Sequence, residues 1–180
     1  GIDSGDGAVY VFRGGVVGVA STPTTTLRGP VGTAQRFGTA VACAGDINGD
    51  GFADLAVGAP LGSGLVQIYS GGPGGLTATP QVLNDPASSA MNQNFGSSIA
   101  GAGDIDGDGY GDLVVGAPGA SAAPGQVYVY RGGPTGLNVT PVVLNGDTGE
   151  RLGIAVAAAG DVNGDGFADI AIGAQGAASD

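Results

Sequence analysis

Short alternations of apolar and polar positions run the length of the chain, none longer than a few residues. In Val127-Tyr128-Val129-Tyr130 the valines face one way and the tyrosines the other, which is the period of a strand. No segment sustains an apolar stripe at helical spacing for three turns, and glycine and proline punctuate every junction. The pattern predicts an all-β chain. It also repeats: FGTAVACAGDINGDGFADLAVGAP from Phe37, FGSSIAGAGDIDGDGYGDLVVGAP from Phe95 and LGIAVAAAGDVNGDGFADIAIGAQ from Leu152 align without a gap. Their first aspartates, Asp46, Asp104 and Asp161, stand 58 and 57 residues apart.

A second block recurs at Gly7–Gly15, Gly64–Gly72 and Gly125–Gly133, followed each time by Thr-Pro at 22–23, 79–80 and 140–141. Each unit thus predicts four short strands. The first covers roughly 38–44, 96–102 and 153–159, the second 54–58, 112–116 and 169–173. The third is the alternating block, and the fourth follows Thr-Pro, as in Pro141-Val142-Val143-Leu144. The first strand is made largely of small residues such as Ala, Gly and Ser, which fit where sheets crowd around an axis, while Val, Ile, Leu and Tyr fill the wider gaps outside. Such four-stranded units packed face to face predict a β-propeller.

The loop between first and second strands places oxygen side chains at positions one, three, five and nine, with glycine at six. The copies are Asp46, Asn48, Asp50, Asp54; Asp104, Asp106, Asp108, Asp112; and Asp161, Asn163, Asp165, Asp169. Six to eight oxygens at about 2.3–2.6 Å suit calcium, and glycine permits the sharp turn. By analogy with other calcium loops, the carbonyls of Phe52, Tyr110 and Phe167 at position seven complete each set. An EF-hand needs glutamate at position twelve, where Val57, Val115 and Ile172 stand. A bare Asp/Gly turn is the metal-free alternative for one loop, but three matched copies predict three Ca²⁺ per chain.

Charge and composition then narrow the function. There are 16 acids against five bases, all arginine, and the net charge is −11. Ten of the acids lie in the loops, so three bound calcium ions would bring the formal charge to −5. A nucleic-acid partner is excluded by the missing basic surface, and no apolar run approaches a membrane span. The chain has no histidine, which removes Ser–His and Cys–His catalysis. A carboxylate pair drawn from Asp3, Asp6, Asp85, Asp147 or Glu150 has no spacing that argues for a glycosidase. No catalytic residue is assigned.

Phe-Gly, then the aspartate loop, then Gly-Ala-Pro resembles the FG-GAP repeats of integrin α-subunit propellers and their bacterial relatives. The resemblance covers nearly all 180 residues, with Leu152 and Gln175 departing from it in the third copy. It implies a calcium-stabilised propeller for adhesion or protein recognition. It also implies calcium loops on one face, partners on the opposite face, and an extracellular or cell-surface setting.

Integrin propellers have seven blades, whereas this chain encodes about three. Residues 1–36 read as strands three and four of a half blade, 37–94 and 95–151 as whole blades, and 152–180 as strands one and two of another. Two chains would then close a six-bladed homodimer; the alternative is an excised or designed fragment of a larger propeller. Other readings are a propeller lectin, from Tyr10, Tyr69, Tyr128 and Tyr130, although their strand positions favour packing between blades, and a module of a larger enzyme. Cys43 aligns with Gly101 and Ala158, so a small core residue is expected there. Asn138-Val139-Thr140 matches a glycosylation sequon, which the bacterial-looking composition makes a chance match.

Overall fold

The computed structural model describes residues 6–31, 33–87, 93–119 and 124–176; Asp3 lies outside them. The described residues contain strands and no helix, so none is long and apolar enough to cross a membrane. Strands β5 (Ala40–Gly45), β6 (Asp54–Ala59), β7 (Leu65–Tyr69) and β8 (Gln81–Asn84) form one antiparallel sheet in sequence order. The chain repeats this with β9 (Ser98–Gly103), β10 (Asp112–Ala117), β11 (Gln126–Tyr130) and β12 (Val142–Asn145). Ahead of them β1 (Ala8–Val11) pairs with β4 (Thr25–Arg28), and a small ladder joins β2 (Gly14–Gly15) to β3 (Gly18–Val19). After them β13 (Arg151–Gly160) pairs with β14 (Asp169–Gln175).

The sheets stack face to face, and apolar side chains fill each interface. Val9, Leu27, Phe37, Val57 and Tyr69 are buried between the β1–β4 pair and the first four-stranded sheet. Val66, Leu83, Phe95, Leu113, Tyr128 and Tyr130 fill the gap between the two four-stranded sheets, where Phe95 meets both tyrosine rings edge-on. Val114, Val127 and Val129 face β13 and β14, against Val156, Ile170 and Ile172. The expected alternation of β11 therefore holds, with both of its faces buried. Each such Val, Leu or Phe contributes about 1.5–3 kcal/mol by leaving water.

Sheets converge on their first strands, with β9 lying against both β5 and β13. Glycine makes this approach possible. A methyl on Gly101 would stand 2.5 Å from the Cys43 carbonyl oxygen, and one on Gly58 would overlap the Gly96 carbonyl oxygen. Gly116 meets Gly153 in the same way at the next interface. The glycine of one copy's Gly-Ala-Pro thus abuts the glycine of the following Phe-Gly.

Two expectations need correction. The first strands begin two residues late in the first two copies, because Phe-Gly belongs to a turn. Arg36 and Asn94 adopt φ of 56° and 57°, and Thr39 and Ser97 donate back to their carbonyls at 3.1 and 3.0 Å. Cys43 is exposed rather than core. Its register partner is Leu55, so it shares the face of β5–β6 that looks toward β1 and β4. That two-stranded sheet covers Val57 and Ala59 on β6 but leaves Val41 on β5 half-exposed.

Candidate metal centre

Each aspartate loop joins the first strand of a sheet to the second. Glycines at positions four and six carry the turn, with φ of 73° and 86° at Gly49 and Gly51 and nearly the same values in the other copies. The aspartate at position one gathers the loop around itself. Asp46 accepts the amides of Asp50 and Gly51 at 3.0 and 2.8 Å, and Asp104 those of Gly107, Asp108 and Gly109 at 2.7, 3.1 and 2.8 Å. Asp161 repeats the second pattern with Gly164, Asp165 and Gly166. These amide bonds hold the carboxyls of Asp161 and, through the Phe167 amide, Asp165 below the usual carboxylate range.

The position-nine aspartates sit deeper. Asp54 and Asp112 are buried at the start of β6 and β10. Asp54 accepts Ile47 N–H at 3.0 Å and Gly71 N–H at 2.8 Å, and Asp112 accepts Ile105 and Gly132, both at 2.8 Å. Each therefore ties its loop to the turn after the third strand. Burial raises both carboxyls above the ordinary value despite these bonds, and the neighbouring loop carboxylates add to the rise. Asp169 accepts Val162 N–H at 2.9 Å in a more open setting.

The middle loop differs in chemistry. Asn48 and Asn163 donate to Asp50 and Asp165 at 3.0 and 2.9 Å, but the corresponding Asp106 has no such proton to give. Its Oδ2 pairs with Arg131 at 3.1 Å, while its Oδ1 is buried without a hydrogen-bond partner. Ligand oxygens of Asp104, Asp106 and Asp108 lie within 4.8 Å of one another. Oxygens about 2.3–2.6 Å from a shared calcium ion can be at most twice that far apart, so the donor set fits such a cation. Metal-free, each close carboxylate pair repels by roughly 1–4 kcal/mol depending on screening.

One loop position escaped the sequence reasoning. Glycine at position four (Gly49, Gly107, Gly164) was visible in every copy but stood as an unassigned position. Arg131 accompanies the copy with Asp at position three, while Ser70 accompanies Asn48 in the preceding one. The recurrence of Arg13 and Arg131 at one place in the blade already allowed a bridge to an acid or a ligand contact, and for Arg131 the acid is Asp106. Arg13 instead donates to the Gly74 carbonyl at 2.8 Å. The tyrosines form no surface platform, because Tyr69, Tyr128 and Tyr130 are buried and only Tyr10 is exposed. Among the other acids, buried Asp6 accepts Thr33 and Ala34 amides and buried Asp85 accepts Ala87. Glu150 accepts the Asp147 amide at 3.1 Å.

The FG-GAP repeat model matches residues 37–74, 95–130 and 152–180. This chain belongs to the FG-GAP repeat family. Integrin alpha-PS3 of Drosophila melanogaster is 45% identical over 138 residues, 73% of this chain and 12% of that protein. Integrin alpha-5 of Xenopus laevis is 40% identical over 150 residues, covering 77% and 14%, and integrin alpha-V of Gallus gallus is 43% identical over 121 residues, covering 61% and 11%. The matched region thus spans about an eighth of these curated relatives. FG-GAP repeats are β-propeller blades, and the stacked sheets described above are integrin-like blades.

Proposed function

We propose that this FG-GAP chain is a calcium-binding, non-enzymatic scaffold for adhesion or protein recognition, working outside the cell or at its surface. The observation that carries the metal is the buried, unpartnered Oδ1 of Asp106 among three converging carboxylates. The three sites would use Asp46, Asn48, Asp50, Asp54 and the Phe52 carbonyl; Asp104, Asp106, Asp108, Asp112 and the Tyr110 carbonyl; and Asp161, Asn163, Asp165, Asp169 and the Phe167 carbonyl. Bound calcium supplies positive charge that relieves carboxylate repulsion, and so stiffens the blade ends. A protein or glycan ligand would then dock on the opposite face.

Calcium titration with thermal melting tests the metal. Melting temperature should rise with free calcium, and Asp108→Ala should lower the stoichiometry by one ion per chain. A melting curve identical in excess chelator and in calcium would sink the claim. Binding on a glycan array, with no protein ligand found, would favour the lectin alternative instead.

For the 180-residue chain prepared alone, we infer a head-to-tail homodimer. In whole sheets the second strand pairs with the third, whereas β14 and β1 each have one described neighbour. Val162 is 72% exposed, while its counterpart Ile47 is buried and accepts Gly133 N–H at 3.0 Å. A cavity of about 160 Å³ beside Phe52, Gly71, Gly72 and Leu76 offers the equivalent seat for a partner's Val162. Light scattering near twice 17.0 kDa, with Cys43 shielded from thiol reagents, is the expected result. A folded monomer with reactive Cys43 would overturn it.

A further inference from the structure

The loops do not stand alone on their own blades. The Tyr110 ring, at position seven of the second loop, lies on Gly49, at position four of the first. A methyl built on Gly49 would stand 2.8 Å from Tyr110 Cε1. The same contact recurs one interface on, where a methyl on Gly107 would stand 2.9 Å from Phe167 Cε1. A backbone bond accompanies each ring. Gly111 N–H donates to the Asp46 carbonyl at 2.8 Å, and Ala168 N–H to the Asp104 carbonyl at 3.0 Å. Each of these two loops is therefore gripped by the following blade at two points. One is the backbone of its first acidic residue, and the other is the glycine between its third and fifth positions.

The third loop gives the contrast. Nothing among the described residues lies within 4 Å of a methyl built on Gly164, whose loop has no described blade after it. Glycine at position four is thus more than a turn residue. At Gly49 and Gly107 its missing side chain is also the space the neighbour's ring occupies.

We propose that the first and second metal loops are two-blade devices, in which Tyr110 and Phe167 are positioning residues for the preceding blade's loop. This inference depends on the calcium reading above. A loop in the metal-binding shape presents Gly49 flat to the ring. Removing the ring frees the segment between positions three and five, which must then be ordered at the expense of binding. If the Tyr110 carbonyl ligates its own ion, the one residue touches two sites, and the loops form a mechanically linked row.

Nuclear magnetic resonance can read the loops separately. The amides of Gly51, Gly109 and Gly166 each donate to the position-one aspartate at 2.8 Å, so each reports its own loop. Calcium is titrated into the 180-residue chain, its Tyr110→Ala and Tyr110→Phe variants, and Phe167→Ala, whose half-exposed ring can be removed without emptying a core. In Tyr110→Ala the Gly51 midpoint should move to about fivefold higher calcium or more, the lower end of ordinary site-to-site coupling. Tyr110→Phe should restore it, and Phe167→Ala should move Gly109 in the same sense. A ring that serves only its own loop would move Gly109 alone in Tyr110→Ala and Gly166 alone in Phe167→Ala, and that result overturns the proposal. Wild-type resonances that ignore calcium overturn the metal reading itself, and this proposal with it.

Discussion

Replacing Gly58 by alanine tests whether the family's glycines exist for sheet-to-sheet approach. Gly58 has no left-handed φ, so alanine is free of backbone strain there. What it meets is the Gly96 carbonyl oxygen, which the new methyl would overlap, with Ile99 Cδ1 at 3.1 Å. Ile99 can rotate away, but the carbonyl belongs to the backbone of the next sheet. Relief therefore requires the two sheets to part, at the interface where Phe95, Leu113 and Tyr128 are packed. Overpacking of this kind costs about 1–3 kcal/mol, and backbone against backbone places it toward the upper end. Loss of unfolded-chain freedom returns about 0.4–1 kcal/mol. The net is roughly 2 kcal/mol.

A chain of this size shifts its melting temperature by about 2–4 °C per kcal/mol, so Gly58→Ala should melt about 4–8 °C below wild type. Gly14→Ala is the control, since that glycine also has ordinary φ and no atom within 4 Å of the added methyl. It should melt at the wild-type temperature or up to about 4 °C higher. Differential scanning calorimetry of both, in saturating calcium, settles the comparison. Equal melting temperatures for the two variants would refute the reasoning.

Arg131→Ser removes the cation that neutralises Asp106. Calcium should then bind the middle loop about two- to tenfold more tightly, and the metal-free protein should melt lower, measured by titration calorimetry and by melting in chelator. Asp85, buried and accepting the Ala87 amide, has its carboxyl raised, chiefly by desolvation. The folded state thus holds its proton more tightly than the unfolded chain, so stability falls as pH rises from about 3.9 through the raised value. Asp85→Asn keeps the acceptor and removes the charge, so urea melts should show it more stable than wild type at pH 7 and equal to it near pH 3; a constant difference would refute the assignment.

Threefold repetition made the strands and loops legible, because a position shared by Asp46, Asp104 and Asp161 cannot be a chance turn residue. The hydrophobic alternation of Val127 to Tyr130 likewise predicted two buried faces. What stayed hidden depends on distance between sheets. Gly49 takes φ of 73° and would be read as a turn glycine by any local argument, yet it also receives the Tyr110 ring from the next blade. Gly58 has ordinary φ and could have passed for a strand weakness. Cys43 failed for the same reason: alignment with Gly101 gave its place in the strand, but exposure depends on what lies across from β5.

The two ends of the first strand carry the stability that its middle cannot. Strands in which Ala, Gly and Ser predominate remove little apolar area from water beyond a few side chains such as Ile99 and Val156, so β5, β9 and β13 gain less from burial than the strands outside them. Their attachment instead comes from the Phe-Gly turn at one end, where Phe37 and Phe95 are buried, and from the aspartate loop at the other. The first of these is hydrophobic and indifferent to ions. The second gathers carboxylates that repel one another until a cation joins them. On the calcium reading proposed above, small residues at the axis and acids at the loop are parts of one solution: crowding forbids large side chains where the sheets converge, and the charged loop would place a metal-dependent clamp beside the strand that most lacks other support.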